Sequence, residues 1–391
     1  MNMTNSKTRS RNQSILYLMS LVAFFASLNQ NIYTPLIPSI KEYFHINGLA
    51  VNSTVSLFII LTAIIQLIMA PYLDRTKTGH ILVGSLVLVA LASLGCALSQ
   101  GFYAFLFFRC LQAIGAASLP LIAVITIMGE TPEGKQGEAM GTYQMFLSIA
   151  PAAAPVLGGI IGARYEFHGV FWFLAGLSLL FLFLNVRRRN TTVKKEKLHQ
   201  SLRYLDLMRD PVVFVILSLS LVVFLVYMAI LVFLPELLAD RFHIGLKWIG
   251  FLYVPVTGSI VAGSYLFKKV KLNFSHVMGA VSVSLILFAL MDQWLLPLTL
   301  FLLILFGMGL GAATPLFATL LTSRYKEGKG SIMALYNVTR YIGMGAGPVV
   351  FSLFYRDMGE KGTFLILSAL LLALSFSFYS VISSSKKKYP I

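Results

Sequence analysis

Apolar runs of about twenty residues recur from one end of this sequence to the other. A helix of that length can cross the roughly 30 Å hydrocarbon core of a lipid bilayer. Of the 391 residues, 57% are hydrophobic and only 12% are charged, whereas a soluble domain carries about twice that charged fraction. Because lipid offers no partners to backbone polar groups, the runs must form helices. The sequence therefore predicts an all-α integral membrane protein.

We predict twelve membrane-spanning helices. The longest polar connection, residues 187–210, divides them six and six. The predicted domains are therefore a six-helix bundle at 1–186, a basic linker at 187–210 and a second six-helix bundle at 211–391. The predicted spans are 14–36, 51–73, 80–98, 101–126, 139–163, 168–186, 211–235, 248–267, 274–291, 294–320, 331–355 and 362–383.

The net charge of +16 is distributed unevenly over the predicted loops. Most of the 31 lysines and arginines lie in the two tails, the even-numbered loops and the 187–210 linker. Basic residues collect on the cytoplasmic side of membrane proteins, so both termini are predicted to be cytoplasmic. We expect a multi-pass protein of the plasma membrane. This asymmetry accounts for the basic excess, and we expect no nucleic-acid partner.

Two stretches half a chain apart share one pattern. LIPSIKEYFHI at 36–46 and FLPELLADRFHI at 233–244 each follow the first helix of a six-helix half. Pro155 and Pro348, each near several glycines, form a second related pair. Two similar halves in the same orientation are typical of transporters that alternate access around a site in the middle of the membrane. The sequence therefore predicts two parallel-repeat bundles.

Three motifs indicate a family. The fifth span contains APAAAPVLGGIIG, in which Pro155, Gly158 and Gly159 combine a helix-bending proline with glycines that permit close helix contact. The fourth span contains RCLQAIGAA, and the loop after the second span contains an incomplete motif that keeps Asp74 and Arg75. With these motifs the chain resembles the major facilitator superfamily, and within it the twelve-span drug:proton antiporters that include the Bcr/CflA-like efflux proteins.

The resemblance implies roles for several residues. In the family, the position of Arg109 is tied to proton handling, and the fifth-span motif favours export over import. The position of Asp74 implies a helix cap and a latch between the cytoplasmic ends of the helices, although the family's glycines are lost or displaced here. The predicted coupling and gating residues are Arg109, Asp74, Arg75, Glu138, Arg340, Pro155, Gly158 and Gly159.

All 15 acidic residues fall on the cytoplasmic or the outer side of the predicted spans, so the membrane interior is predicted to hold no carboxylate. Arg109 and Arg340 are the cations that remain there. Relatives that expel cationic drugs place an acid in the first helix, where this chain has Asn29–Asn31. The substrates are therefore predicted to be neutral or anionic. Proton coupling lacks its usual carrier. The candidates that remain are Glu138 and Asp74, then the outer Glu236, or the charge of the substrate itself.

The predicted substrate site combines amides, aromatic side chains and an arginine. Arg340 is placed either in this site or at the inner gate with Asp74. The predicted substrate-binding residues are Asn29, Gln30, Asn31, Tyr33, Gln112, Tyr143, Phe146, Tyr227, Tyr253, Tyr336, Asn337 and Arg340.

The leading functional hypothesis is proton-driven efflux of small amphipathic compounds or drugs by a monomer. The alternatives are a dedicated exporter or importer of one metabolite, peptide or metallophore, and a membrane sensor or lipid-handling scaffold that transports nothing. The sequence has no nucleophile motif, metal cluster or phosphate-binding loop. We therefore expect no enzymatic activity, no cofactor and no bound metal.

Overall fold

The computed structural model describes residues 2–73, 78–132, 135–186, 207–270, 274–290, 295–324 and 329–388. Every regular element in these ranges is helical. A 3₁₀ turn, Thr34–Leu36, joins the first two helices. The helices are α1 (Asn2–Asn31), α2 (Ile37–Tyr43), α3 (Gly48–Leu73), α4 (Thr78–Leu98), α5 (Phe102–Glu130), α6 (Gln136–Asn185), α7 (Pro211–Phe242), α8 (Leu246–Lys269), α9 (Phe274–Leu290), α10 (Leu296–Arg324) and α11 (Lys329–Lys388).

Nine helices in the described part of the chain are long and apolar enough to cross a membrane. One of them, Glu138–Asn185, is 48 residues long and covers two predicted spans, as does α11. The apolar helix α9 is slightly shorter. Each of the twelve predicted spans falls on these helices, and the prediction of an all-α membrane protein is confirmed.

The two long helices break at related positions. In α6 the break is at Tyr165 and Glu166, where Glu166 has φ 58° and ψ −169°. In α11 it is at Gly359, with φ 67° and ψ −172°. These breaks are 193 residues apart, which is also the separation of Pro155 and Pro348. A positive φ ends the regular helix, so each long helix consists of two segments. The internal repeat is therefore present in the backbone as well as in the sequence.

The repeated Phe-His-Ile pattern is a helix ending. His45 has φ 51° and follows α2, and His243 has φ 50° and follows α7. A left-handed residue just beyond the last turn redirects the chain and lets it bond the final carbonyls. The amide of His243 donates to Ala239 O at 3.1 Å, and the amide of Ile46 donates to Lys41 O at 3.1 Å. Both halves thus end the corresponding helix in the same way.

The chain divides into two compact units, Met1–Glu196 with Ile244–Phe251, and Lys197–His243 with Leu252–Ile391. In the first unit α1 packs against α5 and α6, and α4 packs against the same two helices. In the second unit α7 packs against α11 and α10, and α9 packs against α10 and α11. Residues 187–206 lie outside the described ranges, so the predicted linker and the domain boundaries stay predictions.

Two side chains on α8 donate hydrogen bonds to carbonyl groups that lack a helical donor because of a proline. Proline lacks an N–H, so Pro235 leaves the carbonyl of Leu231, four residues earlier, without its helical donor. The hydroxyl of Tyr253 on α8 donates to that carbonyl. Pro315 has the same effect on Gly311, whose carbonyl accepts from Ser264 Oγ at 2.7 Å. These side chains make interior prolines compatible with a membrane helix.

The glycines of the fifth-span motif face two different neighbours. A methyl group on Gly158 would overlap the carbonyl oxygen of Ile32, at the end of α1. One on Gly159 would press on the backbone at Leu246 and Gly250, in the first turns of α8 that belong to the same unit. Small residues at such contacts let backbones approach closely. Gly158 is therefore essential to the position of the chain just before Tyr33.

Candidate substrate and coupling site

Arg109 lies in the second turn of α5 and is completely buried, with 0% of its side chain exposed. Aromatic rings from three other parts of the first unit surround its guanidinium carbon. The carbon lies 4.0 Å from the ring centroid of Tyr33, 4.3 Å from that of Phe58 and 5.7 Å from that of Phe171. Distances of this size give attractive cation–π contacts, which are strongest where water is excluded. We call these three residues the aromatic cage.

A chain of neutral hydrogen bonds holds one edge of the guanidinium. Arg109 Nη1 donates to Gln112 Oε1, and Gln112 Nε2 donates to Ser93 Oγ at 2.7 Å. The Ser93 hydroxyl in turn donates to the carbonyl of Val89 at 2.7 Å. Every donor and acceptor in this relay is oriented by its neighbour. The relay therefore positions the arginine without neutralising its charge.

The opposite edge of the guanidinium is unsatisfied. Arg109 Nε and Nη2 have no hydrogen-bond partner among the described residues, and neither has the buried hydroxyl of Tyr33. The buried charged and polar residues of the described chain include no aspartate or glutamate. Burying an arginine in a membrane protein costs at least about 2.5 kcal/mol on insertion scales. Arg109 is thus a buried cation without a counter-charge in this part of the molecule.

Arg340 has a related environment in the second unit. Its guanidinium carbon lies 4.4 Å from the ring centroid of Phe224 on α7 and 5.5 Å from that of Tyr336. Nη1 is 3.5 Å from Asn337 Oδ1, a weak contact, and the buried Nε has no partner in the described part of the chain. Unlike Arg109, the Arg340 side chain is only partly buried. Arg340 is therefore the more accessible cation in this conformation.

Three predicted tyrosines lie in the same unit as Arg340. Tyr227 is nearly buried, and its ring is 6.4 Å from that of Phe224, edge to face. The hydroxyl of Tyr336 donates to the carbonyl of Thr314 at 3.2 Å. Tyr253 is buried, and its hydroxyl donates to the carbonyl of Leu231. Tyr336 therefore adjoins Arg340, and Tyr227 adjoins Phe224, which contacts Arg340, whereas Tyr253 has a structural contact of its own.

The first-helix amides do not take the role of an acid. Asn29 is completely buried, and neither of its side-chain polar atoms has a partner in the described ranges. Asn31 Nδ2 donates to the carbonyl of Ser27 at 2.8 Å, and Gln30 is partly buried. The amide bonded to Arg109 is Gln112, on the same helix as the arginine.

The remaining predicted residues are more scattered. Tyr143 is buried, and the partly buried Phe146 lies edge to face with Tyr17, with ring centroids 6.4 Å apart. Glu138 is exposed in the first turn of α6. Asp74 and Arg75 lie outside the described residues, so their predicted gating role and the proposed pairing of Arg340 with Asp74 stay predictions.

Sequence reasoning missed the residues that complete both arginine environments. Phe58, Ser93 and Phe171 contribute to the Arg109 environment, and Phe224 lies beneath Arg340. Phe171 falls within the HGVFWF segment of the sixth span, which is a usable signal. Phe58 and Phe224 lie in uninterrupted apolar runs, where nothing in the sequence separates them from residues that face lipid.

The sequence matches the pattern of the Major Facilitator Superfamily over residues 19–348. It is 28% identical to the MFS-type transporter phiD of Fungal sp. (strain ATCC 74256), over 42% of this chain and 25% of that protein. It is 26% identical to Citrate exporter 1 of Aspergillus niger, over 50% of this chain and 39% of the exporter. It is 27% identical to the Multidrug transporter QDR2 of Candida glabrata, over 45% of this chain and 32% of that transporter. The chain thus spans well under half the length of these curated relatives.

The fold is similar to that of solved structures at low sequence identity. A bacterial homologue of the human lysosomal transporter Spinster, crystallised in an inward-facing and occupied conformation, superposes with a TM-score of 0.79. The match covers 95% of this chain and 97% of the homologue, with 13% of residues identical.

Proposed function

The chain belongs to the major facilitator superfamily, and on that premise we propose that it exports small amphipathic compounds, neutral or anionic, by alternating access. Membership confirms the family resemblance found in the motifs, and it makes the chain a member of a transporter family rather than of an enzyme family. Export is supported by the names of two relatives, an exporter of citrate and a multidrug transporter.

The observation that carries the proposed selectivity is the sign of the interior charge. Arg109 is buried and Arg340 is partly buried, while the described chain buries no carboxylate. At low dielectric a unit charge acts strongly over several ångströms. A lipophilic cation would meet repulsion near either arginine, whereas an anion would gain a counter-charge. Arg340 is the proposed first contact, with Phe224 and Tyr336 offering aromatic surface to the apolar part of the substrate.

A transport assay with three matched dyes tests this function. Everted membrane vesicles that contain the protein would be given an anionic, a neutral and a cationic amphipathic dye of similar size. We expect energised uptake of the anionic or neutral dye and little uptake of the cation. Strong uptake of the cationic dye alone would contradict the proposed selectivity. No uptake of any dye above that of vesicles without the protein would contradict broad export.

The proton gradient is the proposed energy source, with Glu138 and Asp74 as the proposed titrating groups. A second possibility is that the charge of the substrate supplies the coupling, because an anion leaving a cell is driven by about 2.3 kcal/mol per 100 mV of inside-negative potential. Liposomes with an imposed pH gradient or an imposed potential separate the two. Proton antiport predicts uptake driven by the pH gradient and lost in Glu138→Gln or Asp74→Asn, whereas anion export predicts uptake driven by the potential alone.

The proposed setting is the plasma membrane, with one chain as the transporting unit and both termini in the cytoplasm. Single cysteines at Ser6 and Ser385, in a variant that lacks Cys96 and Cys110, test on which side of the membrane the two termini lie. Both should be labelled by an impermeant thiol reagent in everted vesicles and protected in intact cells.

A dedicated transporter of one metabolite is the second candidate, favoured by the similarity to a citrate exporter. Competition distinguishes it from broad export. If structurally unrelated anions fail to compete with the best substrate, the narrow function is correct. If they compete, export is broad.

A further inference from the structure

The unsatisfied edge of Arg109 has a specific geometry. Nε and Nη2 lie on the same side of the guanidinium, and their N–H bonds run nearly parallel in its plane. This is the fork that binds both oxygens of a carboxylate or of another planar oxyanion. Nη1, on the other side, is already engaged by Gln112. The relay therefore occupies the edge that is not needed for such a ligand and leaves the fork without a partner.

The aromatic cage cannot replace the missing partner. Aromatic rings stabilise the positive charge through their faces, but they provide no lone pair to N–H groups that point outward in the guanidinium plane. A buried donor without an acceptor is destabilising, and more so when the donor is charged. The cage thus contacts the faces of the cation, while the in-plane hydrogen bonds of Nε and Nη2 remain unmade in the described chain.

Other polar groups near this region also lack partners. The Tyr33 hydroxyl and both polar atoms of Asn29 are buried and without a hydrogen bond in the described chain. Asn29 is in the last turn of α1, and Tyr33 follows four residues later, just beyond the end of that helix. Amide N–H and phenol O–H groups are further donors for an anion. Three residues of the first unit therefore have donors without a partner in the described chain.

From this geometry we propose that the Nε–Nη2 fork of Arg109 is the binding site of a monovalent carboxylate. This rests on the proposed export of anionic compounds and gives that function a substrate class, namely compounds with one carboxylate on an apolar body. The carboxylate accepts from both nitrogens, and the aromatic cage adjoins the apolar body. Because Arg109 is completely buried in this conformation, binding requires a covering side chain to move. The same chemistry also suits a small free carboxylate as a resident counter-ion.

Binding of defined anions to the purified protein tests the proposal without any transport. The probes are acetate and nitrate, which are planar oxyanions, and chloride, which is spherical, at equal ionic strength in nanodiscs. Intrinsic fluorescence during heating reports stability, because the chain contains three tryptophans. We expect acetate and nitrate to raise the unfolding temperature saturably and chloride to have a much smaller effect. An equal effect of all three anions, or no effect of any, would overturn the proposal.

The variants distinguish a fork from a simple positive charge. Arg109→Lys keeps the charge but cannot bind bidentately, and it should weaken acetate binding by about tenfold or more. Arg109→Gln should abolish the stabilisation, and Arg356→Gln, which alters an exposed arginine paired with Asp357, should leave it unchanged. Wild-type acetate affinity in Arg109→Lys would refute bidentate binding. If the substitution at Arg109 prevents folding, a loss of affinity in Tyr33→Phe serves as the second readout, and unchanged affinity there counts against the site.

Two further measurements identify the source of the carboxylate and separate this proposal from the broader function. A transported aromatic carboxylate such as benzoate should compete with acetate if the substrate occupies the fork, and should stabilise additively if acetate is only a counter-ion. Acetate binding without any transport would sustain the site and reject the export function. Transport without acetate binding would sustain the export function and reject the carboxylate site at Arg109.

Discussion

The guanidinium carbon of Arg109 lies 4.0 Å from the centre of the Tyr33 ring, and both side chains are completely buried. Arg109 is on α5, whereas Tyr33 follows the end of α1. The contact therefore ties the chain just after the first helix to a charge in the fourth membrane span. Its strength depends on the aromatic face, because the hydroxyl of Tyr33 has no partner among the described residues.

Replacing Tyr33 by leucine should destabilise the protein more than replacing it by phenylalanine. Phenylalanine preserves the cation–π contact with Arg109, whereas leucine removes a contribution of about 1–2 kcal/mol at a desolvated site. Thermal unfolding of the purified variants in nanodiscs without added carboxylate measures the difference. Equal stability of Tyr33→Phe and Tyr33→Leu would show that the ring face contributes nothing.

Gly158→Ala should disturb the contact between α6 and α1. The added methyl group overlaps the carbonyl of Ile32, next to Tyr33, and overpacking of this kind costs about 1–3 kcal/mol. Gly176→Ala, in the helical segment after the break in α6, is the control, because a methyl group there meets no described atom. We expect a lower unfolding temperature and weaker transport for Gly158→Ala alone. Because alanine has a higher helix propensity than glycine, a similar loss in both variants would contradict a specific role of the close contact at Gly158.

Tyr253→Phe should lower the free energy of unfolding by about 1 kcal/mol, because it leaves the carbonyl of Leu231 without a donor. The effect depends on Pro235, which has no N–H to offer that carbonyl. In a Pro235→Ala background the helical hydrogen bond is restored, so Tyr253→Phe should be nearly neutral. A double-mutant cycle measures this coupling, and strictly additive effects would contradict it.

Arg340→Gln should reduce transport of anionic substrates and spare neutral ones. The guanidinium is partly exposed above Phe224, so its loss removes the accessible counter-charge while glutamine retains polar contacts. Loss of one charge-assisted hydrogen bond costs about 1.5–3 kcal/mol, which corresponds to a roughly ten- to hundredfold increase in KM. Initial rates in vesicles with an anionic and a neutral dye provide the measurement, with Arg356→Gln as the control. An equal decline for both dyes would argue for a structural role of Arg340.

Gln112→Glu should give Arg109 an internal counter-charge. The new carboxylate would accept from Nη1, where the amide oxygen now accepts, and neutralise the cation locally. We expect a more stable protein, weaker acetate binding and weaker export of anions. Gln112→Met, similar in size but uncharged, separates the charge effect from loss of the relay. Unchanged anion export in Gln112→Glu would show that the net charge at Arg109 does not select substrates.

Much of this architecture follows from local chemistry. The apolar runs specify the spans, because only helices satisfy their own backbone in lipid. The repeated Phe-His-Ile segments mark the left-handed residues His45 and His243, since a redirected helix end needs the same local backbone in both halves. Arg109 could be recognised as important because a charge in an apolar run is unfavourable unless it serves a function.

The partners of Arg109 could not be predicted in the same way. The first-helix amides and Gln112 are all plausible acceptors for the guanidinium, and the structure selects Gln112 because residues three apart on one helix face each other. Which helices pack together decides that Phe58 and Phe171 face Arg109. It also decides that Tyr253 donates to the carbonyl that Pro235 leaves without a helical donor. An apolar residue in a membrane span looks the same in sequence whether it faces lipid, a neighbouring helix or a buried charge.

The sequence alone determined the helical spans, their division into two similar halves and the presence of an arginine in each. Only the tertiary structure decided that Arg109 is sealed within aromatic rings with one donor edge unsatisfied, whereas Arg340 remains partly accessible. The physical reason is that hydrophobic length and backbone hydrogen bonding act within a segment. The surroundings of a charge are set by side chains from helices that are distant in the sequence.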